Sequence, residues 1–299
     1  MKKSIKKLIL KNAYLSRLVF YFLNYKWLFD ILSFFNIPFV VKIIDNEKIK
    51  LFPKGQIAEI IFQKKFENNE LLTFQKLLKK GMTVIDAGAN IGLYTLIASK
   101  IVGENGKVFS FEPSKETYER LKNNVTLNQS TNIEIINCGL GDTPDQMLQL
   151  RQDLGYDDAE RYLVPLNHNI NNELENVGEL NLSEKVKIDT LDNFCKKNNI
   201  KQINLLKIDT EGFEYYILNG SRNILKNSEK LIILMECTAM GTKRANTTQE
   251  KVFDILIEEG FKIFYWNTNI NNWSTDTEGC LMAGDLWVCK NVEQLNFYK

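Results

Sequence analysis

The segment at residues 84–99, VIDAGANIGLYTLIAS, places a carboxylate and two glycines between an apolar run and a helix-like run. The residues before Asp86 are typical of a buried strand, and apolar residues from Ile91 onward recur at helical spacing. Glycine lets the backbone approach a ligand closely, and the first turn of a helix presents N–H groups. A tight turn without a ligand is the alternative. The candidate small-molecule residues are Asp86, Gly88, Asn90 and Gly92.

The next two predicted strands also end in polar groups. Glu112 follows the strand at residues 107–111 and lies 26 positions after Asp86. An acid at this place in a dinucleotide-type fold accepts hydrogen bonds from a ribose diol, at a spacing of about 20 residues from the glycine turn. The third strand ends in CGLGD, whose backbone amides and carboxylate are candidates to edge an adenine ring. These residues are Gly139, Leu140 and Asp142.

The segment KIDTEGFE carries the candidate catalytic groups, which are Lys207, Asp209, Glu211 and Glu214. A carboxylate can accept the proton of a reacting hydroxyl, which adds typically 10²–10⁴-fold to a rate. Lys207 lies inside an apolar strand, where a charge is costly unless it is paired. An ion pair and an active-site role are therefore equally open for it. Glu236 ends the following strand, and together with Asp209 it could hold a divalent metal, but we assign no metal here.

The choice of cofactor depends on the charge beside the glycine turn. A dinucleotide carries a pyrophosphate, which favours Gly-x-Gly-x-x-Gly with no carboxylate just before it. Here Asp86 immediately precedes Gly88-x-Asn90-x-Gly92. A carboxylate repels phosphate, whereas it suits the amino group and the sulfonium charge of S-adenosylmethionine. The turn therefore favours a methyltransferase over a dehydrogenase.

These groups need a sheet whose strand ends meet at one edge. Strands are predicted at residues 82–85, 107–111, 133–137, 203–209 and 230–237, with FKIFYW and DLWVC closing the sheet. Helices are predicted between them, including residues 115–129 capped by Ser114. This alternation predicts an α/β fold with a doubly wound, mostly parallel sheet. The polar stretch at residues 143–187 interrupts it and is predicted to be an irregular or hairpin insertion over the cleft.

Composition bounds the remaining alternatives. The chain has 299 residues and a net charge of +1, so no global charge favours nucleic acid as a partner. Its five scattered cysteines favour a reduced, cytoplasmic compartment. The single histidine, His168, would have to serve any Ser-His-Asp triad alone, and we expect it to be a solvated loop residue.

The N-terminal region is basic and amphipathic. Residues 1–29 hold seven Lys or Arg side chains, and the first acid is Asp30. The longest uncharged run, residues 31–41, is too short for a membrane span of roughly 20 apolar residues. We predict that residues 1–60 form a helical, basic extension to a domain at residues 61–299. The extension either packs on the domain or on a second subunit, or its residues 1–45 rest on an anionic membrane surface.

Taken together, GMTVIDAGANIGLYTLIAS, FSFEPS, CGLGD, DTLDNF and LLKIDTEGFEYYILNG resemble the FkbM-type S-adenosylmethionine-dependent methyltransferases over roughly residues 60–290. The resemblance implies a Rossmann-like methyltransferase fold with a seven-stranded sheet, whose last strand is antiparallel. It also implies O-methylation of hydroxyls, often on sugars or natural products.

The resemblance assigns roles to the polar groups. The turn residues Asp86, Gly88, Asn90 and Gly92 would hold the methionine end, Glu112 the ribose, and the loop from Gly139 to Asp142 the adenine. KIDTEGFE would face the acceptor. Phe213 stands where the family often has His, which removes one candidate base.

We therefore expect an O-methyltransferase acting on a carbohydrate or glycolipid hydroxyl, with S-adenosylmethionine as cofactor. The alternatives are a nicotinamide-dependent oxidoreductase and a non-catalytic cofactor-binding domain. Asp86 and the missing third glycine disfavour the first. A nucleic-acid base methyltransferase is disfavoured because the fourth strand carries no Asn/Asp-Pro-Pro-Tyr segment.

Overall fold

A computed structural model describes residues 26–53, 58, 61, 69–152, 161–165, 182–270 and 272–295. The helices within them are α1 (Lys26–Phe35), α2 (Asn69–Leu77), α3 (Leu93–Val102), α4 (Lys115–Asn128), α5 (Leu191–Lys197), α6 (Glu214–Asn219), α7 (Arg222–Asn227), α8 (Ala239–Arg244), α9 (Gln249–Glu258) and α10 (Thr277–Ala283). A 3₁₀ turn at Val292–Leu295 follows the last strand.

The strands are β1 (Phe39–Ile44), β2 (Glu47–Leu51), β3 (Thr83–Ala87), β4 (Lys107–Phe111), β5 (Ile133–Ile136), β6 (Gly139–Leu140), β7 (Met147–Gln152), β8 (Arg161–Pro165), β9 (Leu182–Asp189), β10 (Leu205–Ile208), β11 (Ile232–Glu236), β12 (Lys262–Asn267), β13 (Asn272–Ser274) and β14 (Asp285–Cys289).

The central sheet has the strand order β13-β12-β14-β11-β10-β3-β4-β5. Strands β11, β10, β3, β4 and β5 are mutually parallel, and β14 is antiparallel to β11. The predicted α/β fold with a mostly parallel sheet and an antiparallel last strand is therefore confirmed. The sheet has eight strands rather than seven, because the short β13 folds back on β12 and adds an edge strand.

The apolar runs of the central strands are buried on both faces, as a parallel sheet requires. Alternate residues contribute to two core clusters: Leu206 and Ile233 belong to one, and Leu205 and Ile232 to the other. Lys207 lies beside Asp86 and Leu234 in the strand register and is itself buried. A charge at this position therefore needs a partner inside the fold.

Part of the predicted insertion forms a second sheet with the order β6-β9-β7-β8. The apolar residues Leu150, Leu163 and Ile188 of this sheet join the larger core cluster. The predicted hairpin is present as the antiparallel pair β7–β8. His168 lies outside the described residues.

The described part of the N-terminal extension differs from the predicted helix. After the helix α1, the strands β1 and β2 form an antiparallel hairpin. The hairpin packs on α4, where Asn124 and Asn128 accept hydrogen bonds from the backbone N–H groups of Lys50 and Lys48. The alternation of buried and open residues along β1 explains why this stretch is a strand.

Residues 1–25, which carry six of the seven Lys and Arg side chains at residues 1–29, lie outside the described residues. Contact with a membrane surface or with a second subunit therefore stays a prediction. Within the described part of the chain, no helix combines the length and the hydrophobicity needed to cross a bilayer.

Candidate active site

A cavity of ≈ 240 Å³ opens where β3, β4, β10 and β11 end. Seven of the residues predicted from the sequence line it: Gly88, Asn90, Glu112, Gly139, Leu140, Asp209 and Glu211. Five others lie outside its lining: Asp86, Gly92, Asp142, Lys207 and Glu214. The carboxyl ends of parallel strands meet at one edge of a sheet, so the fold itself brings the first group together.

The turn after β3 is fastened to the end of β4. The N–H groups of Gly88 and Ala89 donate to the Phe111 carbonyl at 3.0 and 2.9 Å, and the Asn90 N–H donates to Glu112 Oε2 at 2.9 Å. These three donors are therefore already paired within the protein, whereas the helix α3, whose first N–H groups were expected to face a ligand, begins only at Leu93. These hydrogen bonds fix the conformation of the turn, and the three N–H groups are not available to a ligand.

Gly88 is also required by the neighbouring strand. Its φ is +81°, and a Cβ at this position would lie 1.9 Å from the Asp209 carbonyl oxygen. The missing side chain thus lets the turn after β3 touch the end of β10. Gly92 serves packing in the same way, because a Cβ there would lie 2.6 Å from Leu121 Cδ1. Whether either glycine contacts a cofactor stays a prediction.

Glu112 is buried at the floor of the cavity, and both carboxylate oxygens accept backbone hydrogen bonds. Oε1 accepts from Ser114 N at 2.9 Å and Oε2 from Asn90 N at 2.9 Å. Burial raises the pKa of Glu112 to about 7, although both bonds oppose the shift. Each carboxylate oxygen can accept more than one bond, so the group keeps capacity for the hydroxyls of a bound ligand.

Asp86 is buried below the cavity and faces α3. Thr95 Oγ1 donates to Asp86 Oδ2 at 2.6 Å, and Thr95 Oγ1 lies 2.8 Å from Ser110 Oγ. Asp86 Oδ1 is buried and has no hydrogen-bond partner among the described residues. Burial raises the pKa of Asp86, and the charge of Lys207 opposes this. Its contact with a cofactor stays a prediction.

Lys207 forms an ion pair inside the fold. Its Nζ lies 2.9 Å from Asp209 Oδ2 and 4.4 Å from the centre of the Tyr94 ring. Burial alone would lower the pKa of Lys207, but the charges of Asp209 and Asp86 outweigh it and raise the pKa. Tyr94 in turn donates to Glu70 Oε1 at 2.5 Å. The ion pair left open by the sequence is present, and a direct catalytic role stays a prediction.

Glu211 and Glu214 occupy the loop after β10, where their environments differ. Glu211 has a φ of +56° and lies 4.0 Å from Arg244. Glu214 is buried, and its Oε1 accepts from Gly212 N at 3.0 Å and from Thr210 Oγ1 at 3.1 Å. Burial raises the pKa of Glu214 to about 7. Glu214 therefore stabilises the loop that presents Glu211.

One further group at the cavity comes from β8, and two groups beside it come from β8 and α8; no sequence motif marks them. Arg161 lines the cavity and donates to Ser114 Oγ and, at 2.9 Å, to Thr117 Oγ1. Arg244 lies 5.3 Å from the centre of the Tyr162 ring, so β8 reaches the loop that holds Glu211. A regular spacing of apolar residues would have predicted the strand that carries Arg161 and Tyr162, but the polar insertion at residues 143–187 shows no such spacing.

Three carboxylates of the cavity lie close enough together to hold a metal ion. Ligand oxygens of Asp209, Glu211 and Glu236 are all within 4.8 Å of one another. Two of the three already face a cation of the chain, because Lys207 pairs with Asp209 and Arg244 with Glu211. This charge balance needs no metal, so we assign none.

The cavity fits a positively charged nucleoside better than a dinucleotide. Its carboxylates, Glu112, Asp209, Glu211 and Glu236, can accept hydrogen bonds from hydroxyl and ammonium groups. Apolar walls for a flat base are supplied by Phe111, Leu140, Leu150 and Leu163. A pyrophosphate would meet these four acids and, among the lining residues, the single cation Arg161.

Comparisons with known proteins agree with this chemistry. A family model described as the methyltransferase FkbM domain matches residues 86–263. Methyltransferase 1 of Beauveria bassiana (strain ARSEF 2860) is 29% identical over 147 residues, which cover 46% of this chain and 57% of that protein. Methyltransferase sdnD of Sordaria araneosa is 26% identical over 157 residues, covering 46% and 59%. The chain thus spans less than two thirds of either relative.

Among solved structures, the methyltransferase FkbM from Methylobacillus flagellatus KT matches with 14% identity and a TM-score of 0.42. The match covers 78% of this chain and 52% of that one.

Proposed function

Because this chain belongs to the FkbM methyltransferase domain family, we propose that it transfers a methyl group to a hydroxyl oxygen of a carbohydrate or glycolipid. The cofactor is S-adenosylmethionine, which supplies an electrophilic methyl group on a sulfonium centre. The observation that carries the proposal is the set of four carboxylates that open into one cavity, Glu112, Asp209, Glu211 and Glu236.

The cofactor half of the cavity consists of the ends of β3 and β4 and of β6. We assign the ribose hydroxyls to Glu112, whose position is fixed by two backbone N–H groups. We assign the adenine to the segment from Gly139 to Asp142 and to the apolar side chains beside it. We assign the methionine part of the cofactor to Gly88 and Asn90. Asp86 and Gly92 stabilise the turn that carries these two residues.

The acceptor half consists of the ends of β10 and β11. Carboxylates accept hydrogen bonds from neighbouring hydroxyls, so Asp209 and Glu211 suit a polyol such as a sugar. Holding the reacting atoms about 3–3.5 Å apart supplies most of the rate gain in such a transfer. Lys207 acts through Asp209, and Glu214 acts through the loop of Glu211, so we propose both as positioning residues.

The cysteines and the basic N-terminal segment bear on where the chain works. We propose a cytoplasmic location, which rests on the five unpaired cysteines, and contact of the basic segment at residues 1–45 with anionic lipid. Sedimentation with anionic vesicles that is lost at 1 M salt is the expected result, since screening then falls to about 3 Å. Sedimentation that persists at high salt would contradict this electrostatic contact.

The experiment that tests the function is transfer of label from S-adenosyl-[methyl-³H]methionine to a panel of methyl glycosides by the full chain. Labelled methyl ether on at least one glycoside is expected. If calorimetry shows S-adenosylhomocysteine binding but no glycoside or extracted glycolipid accepts label, a carbohydrate or glycolipid acceptor is contradicted.

A variant sharpens the same test at the cofactor half. Glu112→Ala removes a buried charged acceptor and should weaken S-adenosylhomocysteine binding by about 1.5–3 kcal/mol, roughly 10- to 150-fold. The exposed Glu134→Ala on β5 is the control and should bind normally. Equal affinity in the two variants would remove Glu112 from the ribose site.

A further inference from the structure

An inner chamber of ≈ 80 Å³ lies beside the cofactor cavity, between β10, β11 and β14. We define it by its polar lining, which is Glu70, Tyr94, Lys207, Asp209, Glu236 and Asp285. Asp209 and Glu236 also line the cofactor cavity, so these two carboxylates stand between the two spaces. Glu236 and Asp285 are paired in the antiparallel register of β11 and β14.

The two shared carboxylates are not equivalent. Asp209 Oδ2 already accepts a hydrogen bond from the buried Lys207 at 2.9 Å. The Glu236 carboxylate accepts no hydrogen bond from any described residue and is exposed to the cleft. A group that must take a proton needs a free oxygen and access to the acceptor, and Glu236 meets both conditions more fully than Asp209 does.

On the premise of the proposed function, we infer that Glu236 is the catalytic carboxylate that accepts the proton of the acceptor hydroxyl. The acceptor oxygen bonds to the methyl carbon while the methyl–sulfur bond breaks and leaves its electron pair on sulfur, giving S-adenosylhomocysteine. The O–H bond breaks, its electron pair stays on that oxygen, and the proton bonds to a Glu236 oxygen. Glu236 becomes a neutral acid and returns the proton to solvent through the open cleft. In the part of the population where Glu236 is protonated before cofactor binds, the positive charge of the cofactor displaces that proton.

The charges around Glu236 support this role. Asp209 and Lys207 face it from β10, Glu70 from α2, Glu214 from α6 and Asp285 from β14. Loss of hydration between the strand ends, followed by the charge of Asp209, raises the pKa of Glu236 to about 7, and Lys207 opposes the rise. A cation entering the cavity favours the ionised form and lowers this pKa. A base whose pKa lies near the working pH is effective in proton transfer.

The test compares two ligands that differ in the sulfonium charge. Calorimetry at pH 7 in buffers of different ionisation enthalpy measures the protons released when each ligand binds. Wild type should release up to about half a proton per chain with S-adenosylmethionine and less with S-adenosylhomocysteine, since a group with a pKa of about 7 is half protonated there. Glu236→Gln should abolish the difference and bind S-adenosylhomocysteine normally, whereas Glu134→Gln should keep it.

Turnover gives the second readout. With the methyl glycoside that accepts most label, Glu236→Gln should lose 10²-fold or more in kcat with little change in the cofactor affinity. The inference is overturned if Glu236→Gln releases as many protons as wild type or turns over within threefold of it. If wild type shows the proton difference but labels no acceptor, hydroxyl methylation fails as the function while the proton-holding role of Glu236 stands.

Discussion

The cofactor half and the acceptor half of the cavity are stabilised by different kinds of contact. In the cofactor half, backbone groups of the turn after β3 pair with backbone or side-chain groups at the end of β4, as in the bonds from Gly88 to Phe111 and from Asn90 to Glu112. In the acceptor half, long side chains balance one another, as in the pairs Lys207–Asp209 and Arg244–Glu211. The first arrangement is built on backbone N–H groups, and the second on pairs of oppositely charged side chains.

This difference has a functional consequence. A cofactor is the same in every turnover, so a site built from backbone suits it. An acceptor must enter, react and leave, and charges on side chains can adjust to it. We therefore expect substitutions in the cofactor half to change binding of the nucleoside, and those in the acceptor half to change stability through charge balance or turnover.

The largest expected effect is at the buried cation of the acceptor half. Lys207→Met removes the charge that faces both Asp209 and Asp86, and breaking a buried ion pair typically costs about 3–5 kcal/mol. Urea unfolding of the cofactor-free chain measures it. Lys100→Met, which removes an exposed partner 3.7 Å from Glu47, is the matched control and should cost at most about 1 kcal/mol. Equal costs would show that the chain does not depend on Lys207.

The next effect is a dependence of stability on pH. Burial raises the pKa of Glu112 from the usual 4.5 to about 7 in the folded chain. The stability contributed by its neutral form is complete below pH 4.5 and is lost as the pH rises through 7. The free energy of unfolding should therefore fall between pH 5 and pH 8, by about 3 kcal/mol for this group. Glu214 contributes in the same direction.

Unfolding of the cofactor-free chain at a series of pH values checks this. Glu112→Gln should flatten the dependence by its own share, whereas the exposed Glu134→Gln should leave it unchanged. A free energy of unfolding that rises from pH 5 to pH 8 would contradict the assignment.

The contact between the two halves can be tested at Gly88. Gly88 and Gly81 both have a φ of +81°, but only Gly88 has a backbone atom in the way of a Cβ. Gly81→Ala should cost about 1–2 kcal/mol from backbone conformation alone. Gly88→Ala should cost about 1–3 kcal/mol more, because the Asp209 carbonyl must move. Thermal unfolding of the two variants measures the difference, and equal melting temperatures would disprove the close contact.

The same contrast explains what the sequence could predict. The positions of the parallel strands and the placement of Glu112 at a strand end depend on local patterns, and apolar runs with glycine turns record those patterns in the sequence. Asp209 and Glu211 could be placed at the cavity edge because they end a recognisable strand. Both line the cavity, and their roles stay predictions.

The remaining features depend on tertiary contacts that leave no local pattern. Glu70 and Asp285 meet Lys207 and Glu236 only because α2 and β14 pack beside β10 and β11. The two strands of the hairpin at residues 39–51 are short. An alternation of two residues is therefore hard to recognise there, directly after the helical apolar pattern of α1. Only the fold reveals that the N–H groups of the glycine turn pair with the end of β4.

The smallest expected effect separates the two halves most directly. Arg244→Gln removes a cation 4.0 Å from Glu211, in a side chain that is 13% exposed. A partly exposed pair of this length contributes at most about 1 kcal/mol, so the melting temperature should change little. S-adenosylhomocysteine affinity should be unchanged, because Arg244 does not line the cofactor cavity.

The KM for the methyl glycoside should rise a few-fold, since Glu211 loses the charge that orients it, and kcat should change less. Arg244→Lys should restore part of the KM, whereas the exposed neighbour Lys243→Gln should behave as wild type. A tenfold loss of S-adenosylhomocysteine affinity in Arg244→Gln would mean that the two halves do not act separately.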